Sequence, residues 1–223
     1  MKNTKICFFL MMYALLCTGL SAQRDSSGIE GNDLRVGRRL RPLWEMAIAP
    51  SRDFKEIILK SFESGEFNLN GPGVLLLSRL AGAGAYYIDH TPGGLIDIRI
   101  RALSVLGTGG ADGAKAIEKV LSAETDPNAM AVAFYYLGEA GDTSEHRLIV
   151  MSRAIRRDCV GMRSVTAADS FIEAITKLSP ANTEENQSTY EILDALSMII
   201  DSGYPEPVRL RAVKALSIVS GTP

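Results

Sequence analysis

The 223-residue chain is 46% hydrophobic and carries a formal net charge of −2, enough to bury a sizeable core by apolar packing alone. The acidic balance, with no Lys/Arg stripe recurring along the chain, speaks against a nucleic-acid partner. Of three cysteines, Cys7 and Cys17 fall in the first segment. Once that segment is set aside Cys159 stands alone and an internal disulfide is excluded.

Residues 1–22 read as a secretory signal peptide: Lys2 and Lys5, an apolar run from Ile6 to about Leu16, and small residues ending at Ala22. The run is shorter than the roughly 20 apolar residues of a membrane span. Cleavage after Ala22 is the expectation. The alternative is lipidation at Cys17, but Leu16 stands where a lipoprotein signal carries a small residue. Either reading predicts an exported protein of the periplasm or cell envelope. Loss of Lys2 and Lys5 takes the net charge from −2 to −4. Residues 23–33, polar and glycine-bearing, read as a flexible lead-in, and 34–223 as one folded domain.

That domain opens with a predicted helix pair at 34–48 and 52–64, broken at Pro50-Ser51, with Trp44, Met46, Phe54, Ile57, Ile58 and Phe62 as packing candidates. A helix from Val74 loosens around Gly82-Ala83-Gly84. Beyond it, Tyr86, Tyr87, Asp89 and His90 lie in a stretch that reads as a connecting loop between helix pairs, the alternative being a small binding feature. From Ile98, 100° steps gather Ile98, Ala102, Val105 and Leu106 into one apolar stripe, yet Ile100 and Leu103 lie outside it. A helix apolar on more than one side needs cover from more than one side. After Gly107 a glycine turn leads to a helix with Ala114, Ile117, Val120 and Leu121 on one face, and Lys115, Glu118 and Lys119 on the other. Asp112 is its expected N-cap.

The pattern then restarts. Asp126 caps and Pro127 takes the first helical position, and Leu137-Gly138 follows Leu106-Gly107 by 31 residues. A partner helix is expected over about Ser144–Arg157, then longer helices over about Met162–Leu178 and Glu184–Asp201, the latter capped by Thr183. The last helix, 207–219, repeats the first: Arg99, Arg101, Ala102, Leu103 and Leu106 fall on Arg209, Arg211, Ala212, Val213 and Leu216. A period near 31 built from helix pairs is the mark of a solenoid, in which each unit is buried by its neighbours.

In Arg101, Ala102 and Leu106-Gly107, in Ala133 and Leu137-Gly138, and in Arg211, Ala212 and Ala215-Leu216, the chain resembles the HEAT-like repeat family of the phycobilisome-lyase type, here an exported bacterial member. Val132 departs from the expected arginine, and Ser217 replaces the glycine. The resemblance implies an all-α, right-handed solenoid of about five to six antiparallel helix pairs. It covers helix-packing residues, so it does not extend to lyase chemistry. The His-Glu pairs of metal hydroxylases built on such repeats are absent as well.

No catalytic, cofactor or metal site is expected. The Gly107–Lys115 stretch lacks the spacing and the lysine placement of a P-loop, and two scattered histidines with one cysteine make no zinc or iron set. Charge is more informative. Residues 35–60 carry seven basic and three acidic residues, and 159–206 carry two basic and eight acidic. Arg35, Arg38, Arg39 and Arg41 at the leading end, and Arg153, Arg156 and Arg157 with Arg147 nearby, are candidate partner-binding residues. Arginines near a helix C-terminus also favour their own macrodipole. Leu210 and Val213 join them, because the last helix keeps apolar residues off its core stripe where a terminal repeat is usually polar. The two readings for that end are cover by a partner or second copy, and cover by the long helices of 162–201. The expected function is a scaffold or adaptor for protein–protein interaction with possible self-association, and no enzyme. The alternatives are an envelope-surface protein held to lipid or cell wall by Arg35–Arg41 and, ranked behind it, a lyase-like enzyme on a HEAT scaffold.

Overall fold

The structure, a computed structural model, describes residues 52–82, 95–141, 143–178 and 186–221, apart from the side chain of Phe54. These residues belong to one compact unit. They contain nine α-helices and no strand: α1 (Arg52–Glu63), α2 (Gly71–Leu80), α3 (Ile96–Gly107), α4 (Gly110–Leu121), α5 (Pro127–Glu139), α6 (Glu145–Val160), α7 (Val165–Leu178), α8 (Gln187–Asp201) and α9 (Glu206–Ser220). Among the described residues no helix is long and apolar enough to cross a membrane.

Local chemistry sets the boundaries. Asp126 accepts from Asn128 and Ala129 N–H at 2.9 and 3.0 Å and Pro127 opens α5, as expected. Asn70 accepts from Gly73 N–H, so α2 starts three residues before Val74. Asp112 is not the cap of α4. Gly110 adopts a left-handed φ of +60°, the helix begins there without a side-chain cap, and Asp112 falls in its first turn. Helix α6 runs on to Val160, and α7 starts at Val165 instead of Met162. Between them Arg163 turns the chain with φ +52°, and Ser164 caps α7 by accepting from Ala167 N–H. Asn186 caps α8 through Thr189 N–H. Thr183, the helix expected at 34–48 and the 83–94 stretch lie outside the described residues.

Two layers follow from the packing. The odd-numbered helices contact one another in succession, as do α2, α4, α6 and α8, and each helix also meets its chain neighbours across the layers. Ile98, Ala102 and Leu106 are fully buried, as is the off-stripe Leu103, while Val105 is only half-buried. The repeated glycines explain how the odd helices come so close. A Cβ on Gly107 would meet the Tyr136 ring of α5 at 2.1 Å, and one on Gly138 would meet Ala174 of α7 at 2.9 Å. Phe134 stacks edge-on against Phe171 beside the second contact. At Gly113 a Cβ would lie 2.0 Å from the Leu106 carbonyl oxygen, so the α3–α4 hairpin also needs glycine.

Gly113→Ala and Gly138→Ala should each cost about 1–3 kcal/mol in urea unfolding by overpacking. Gly71→Ala, whose Cβ meets nothing within 4 Å, should stay within about 0.5 kcal/mol.

Candidate protein-binding surfaces

Several arginine and lysine side chains on these helices reach across to carboxylates on neighbouring helices. In the odd layer, Arg101 forms a bidentate pair with Glu63 of α1, at 2.8 and 2.6 Å, and a second pair with Glu56 at 3.0 Å. These bonds raise the Arg101 pKa above its ordinary value and lower that of Glu63, the hydrogen bond between the two being the largest cause for each. Arg211, the counterpart of Arg101, pairs with Asp169 of α7 at 2.7 Å. Lys177 of α7 reaches Glu139 of α5, and hydrogen bonds to Glu139 and then Glu173 raise its pKa.

The even layer is held by α6. Arg147 is buried and donates to Glu118 of α4 at 2.8 Å. Glu118, expected on the exposed face, is therefore buried, because α6 covers that side of α4. Toward α8, Arg153 pairs with Glu191 at 3.2 Å, and Arg156 with Glu191 and with Asp194, the latter at 2.5 Å. Arg157 donates to the Leu121 carbonyl at 2.9 Å, satisfying a terminal carbonyl of α4. Burial lowers the Arg157 pKa. Of this predicted cluster Arg153 and Arg157 are exposed and Arg156 is half-buried. Arg35, Arg38, Arg39 and Arg41 lie outside the described residues.

Two links were not readable from the sequence. Glu124, between α4 and α5, is buried, pairs with Arg99, and accepts from Thr125 and Asp126 N–H at 2.8 Å each. Tyr204, before α9, is buried and donates to Asp158 at 2.7 Å. Burial is the first cause raising the Tyr204 pKa, and also that of the adjacent Cys159. Cys159 is thus a buried thiol whose protonated form burial favours.

Two surfaces among the described residues bear on binding. A groove of about 600 Å³ between α4 and α6 is lined by Lys115, Lys119 and His146 around the Glu118–Arg147 pair. The other is the outer side of α9. Its core stripe of Val208, Ala212, Ala215 and Val219 packs on α7 and α8, whereas Leu210, Val213 and Ile218 are 60%, 48% and 41% exposed. The long helices cover the stripe and leave the other side open. Among the described residues no group of three or more His, Cys, Asp or Glu side chains is placed to hold a metal.

No protein-family model matches the chain, and neither curated proteins nor solved structures give a match to it.

Arg147→Met should cost about 3–5 kcal/mol by stranding buried Glu118, while Arg153→Ala, at an exposed pair, should change stability by less than about 1 kcal/mol. Denaturant titration of the two variants checks the contrast. Cys159 should resist a disulfide reagent at neutral pH until the chain unfolds. Stoichiometric labelling of native protein would contradict its burial.

Proposed function

We propose that the chain is an exported, HEAT-like right-handed α-solenoid that serves as a scaffold or adaptor for protein–protein interaction and performs no covalent chemistry. The two-layer packing and the glycine contacts repeated at Gly107 and Gly138 support the solenoid. The resemblance in Arg101, Ala102, Leu106-Gly107 and their counterparts supports the family. Residues 1–22 support export, to the periplasm or cell envelope.

One observation carries the binding role. Leu103 in α3 and its repeat counterpart Phe134 in α5 are fully buried, yet Val213, the same position in α9, is 48% exposed. A face that neighbours cover in α3 and α5 is thus open to solvent in α9, as an interaction surface is.

Cross-linking and affinity purification of the full chain from its own cells, read by mass spectrometry, tests the proposal. One stoichiometric protein partner is expected. Recovery of copies of itself alone, or of no protein, would contradict the scaffold role, and salt-sensitive binding to anionic vesicles through Arg35–Arg41 would replace it with a surface-binding one.

A further inference from the structure

We infer that the outer face of α9 takes an acidic amphipathic helix from a partner protein, seated where the next odd-layer helix of the array would lie. This deepens the scaffold reading and rests on it.

Register defines the face. Ile100, Leu103 and Gly107 of α3 correspond to Ala131, Phe134 and Gly138 of α5, and to Leu210, Val213 and Ser217 of α9. In α3 and α5 these positions look toward the following odd helix: Gly107 lies against Tyr136 of α5, and Gly138 against Ala174 of α7. In α9 they form a ridge with Leu210 60% and Val213 48% exposed. Helical rows three and four residues apart lie on one side and accept a second helix as a groove accepts a ridge. The shape of the vacancy is therefore that of a helix.

Charge selects which helix. In four ion pairs along the odd layer the earlier helix supplies the carboxylate and the later one the cation: Glu56 and Glu63 to Arg101, Glu139 to Lys177, and Asp169 to Arg211. One further pair, Arg52 with Asp97, runs the other way. On α9 this polarity is absent. Leu210 and Ser217 occupy the ridge, a lone carboxylate, Glu206, sits at its N-terminal end, and Arg209 and Lys214 flank it on either side by their helical positions. Both cations are exposed and meet no carboxylate among the described residues. A further repeat of the chain's own kind would bring a cation to a face already cationic. A second copy docking its own α9 about a twofold axis would set cations against cations on both flanks. A helix with an apolar ridge between rows of Glu or Asp satisfies both the ridge and its flanks.

Two capped 18-residue helical peptides serve as probes, each with a leucine ridge and with either glutamate or lysine on both flanks. Fluorescence anisotropy against the full chain should give a Kd about tenfold or more tighter for the glutamate peptide, the worth of about 1.4 kcal/mol. Arg209→Glu with Lys214→Glu should reverse the preference, and Leu210→Ser with Val213→Ser should weaken glutamate-peptide binding at least about tenfold. These exposed substitutions should leave the unfolding midpoint in place, and the peptide comparison on the unaltered chain does not depend on them. Equal affinity for the two peptides, or a preference that survives the charge reversal, would overturn the inference. So would a dimer of the chain that the Leu210→Ser, Val213→Ser variant abolishes, which would give the face to a second copy. If the peptides fail while the chain still yields a stoichiometric cellular partner, this inference falls and the scaffold reading stands.

Discussion

Helices apolar around more than one side cannot be buried by a single neighbour, and this constraint governs the described part of the chain. Leu103 and Phe134 lie off the stripe that serves the hairpin core and are nonetheless fully buried. Phe134 meets Phe171 of α7, and Gly107, one turn from Leu103, lies against Tyr136 of α5. The burial of each unit is therefore shared with the next, and glycine at Gly107 and Gly138 lets the later helix approach to contact distance.

Charge adds direction to that packing. Arg101 and Arg211 hold the same repeat position and make the same kind of bond, each to a carboxylate on the preceding odd helix. The buried pair Arg147–Glu118 joins two helix pairs, and Arg99 of α3 reaches buried Glu124 at the junction between α4 and α5. Desolvation offsets much of the attraction in such pairs, so they contribute less to net stability than their burial suggests. Their geometric effect is clearer. Glu124 simultaneously orders the start of α5 through Thr125 and Asp126 N–H and receives Arg99 from α3. The side chains expected to form a basic binding patch are in good part committed in this way, which shifts attention to α9.

Much of this was legible in the sequence because it depends on short-range chemistry. Helix periodicity, the Asp126-Pro127 start and the repetition of α3 in α9 need only local spacing. The all-α class follows from them. The inter-element carboxylate partners of the arginines were not legible, since they lie 25–45 residues away and depend on how each helix is rotated. Glu118 shows the limit: with Lys115 and Lys119 it belongs to the polar side of α4 by periodicity, yet α6 buries it against Arg147. The start of α7 was missed because Arg163, a residue with no preference for the left-handed region, adopts it. Asp158 compensates nearby, accepting Ser164 N–H at 2.8 Å and the Tyr204 hydroxyl.

The central claim is that stability in this chain passes from unit to unit through the odd-layer contacts. Hydrogen exchange read by mass spectrometry, comparing the unaltered chain with Gly138→Ala, tests it most directly. Nearest-neighbour coupling predicts lost protection greatest in α5 and α7 and smaller in their odd-layer neighbours α3 and α9, with α1 and α2 retaining theirs. An equal loss of protection in every helix would show a single cooperative core and contradict the account.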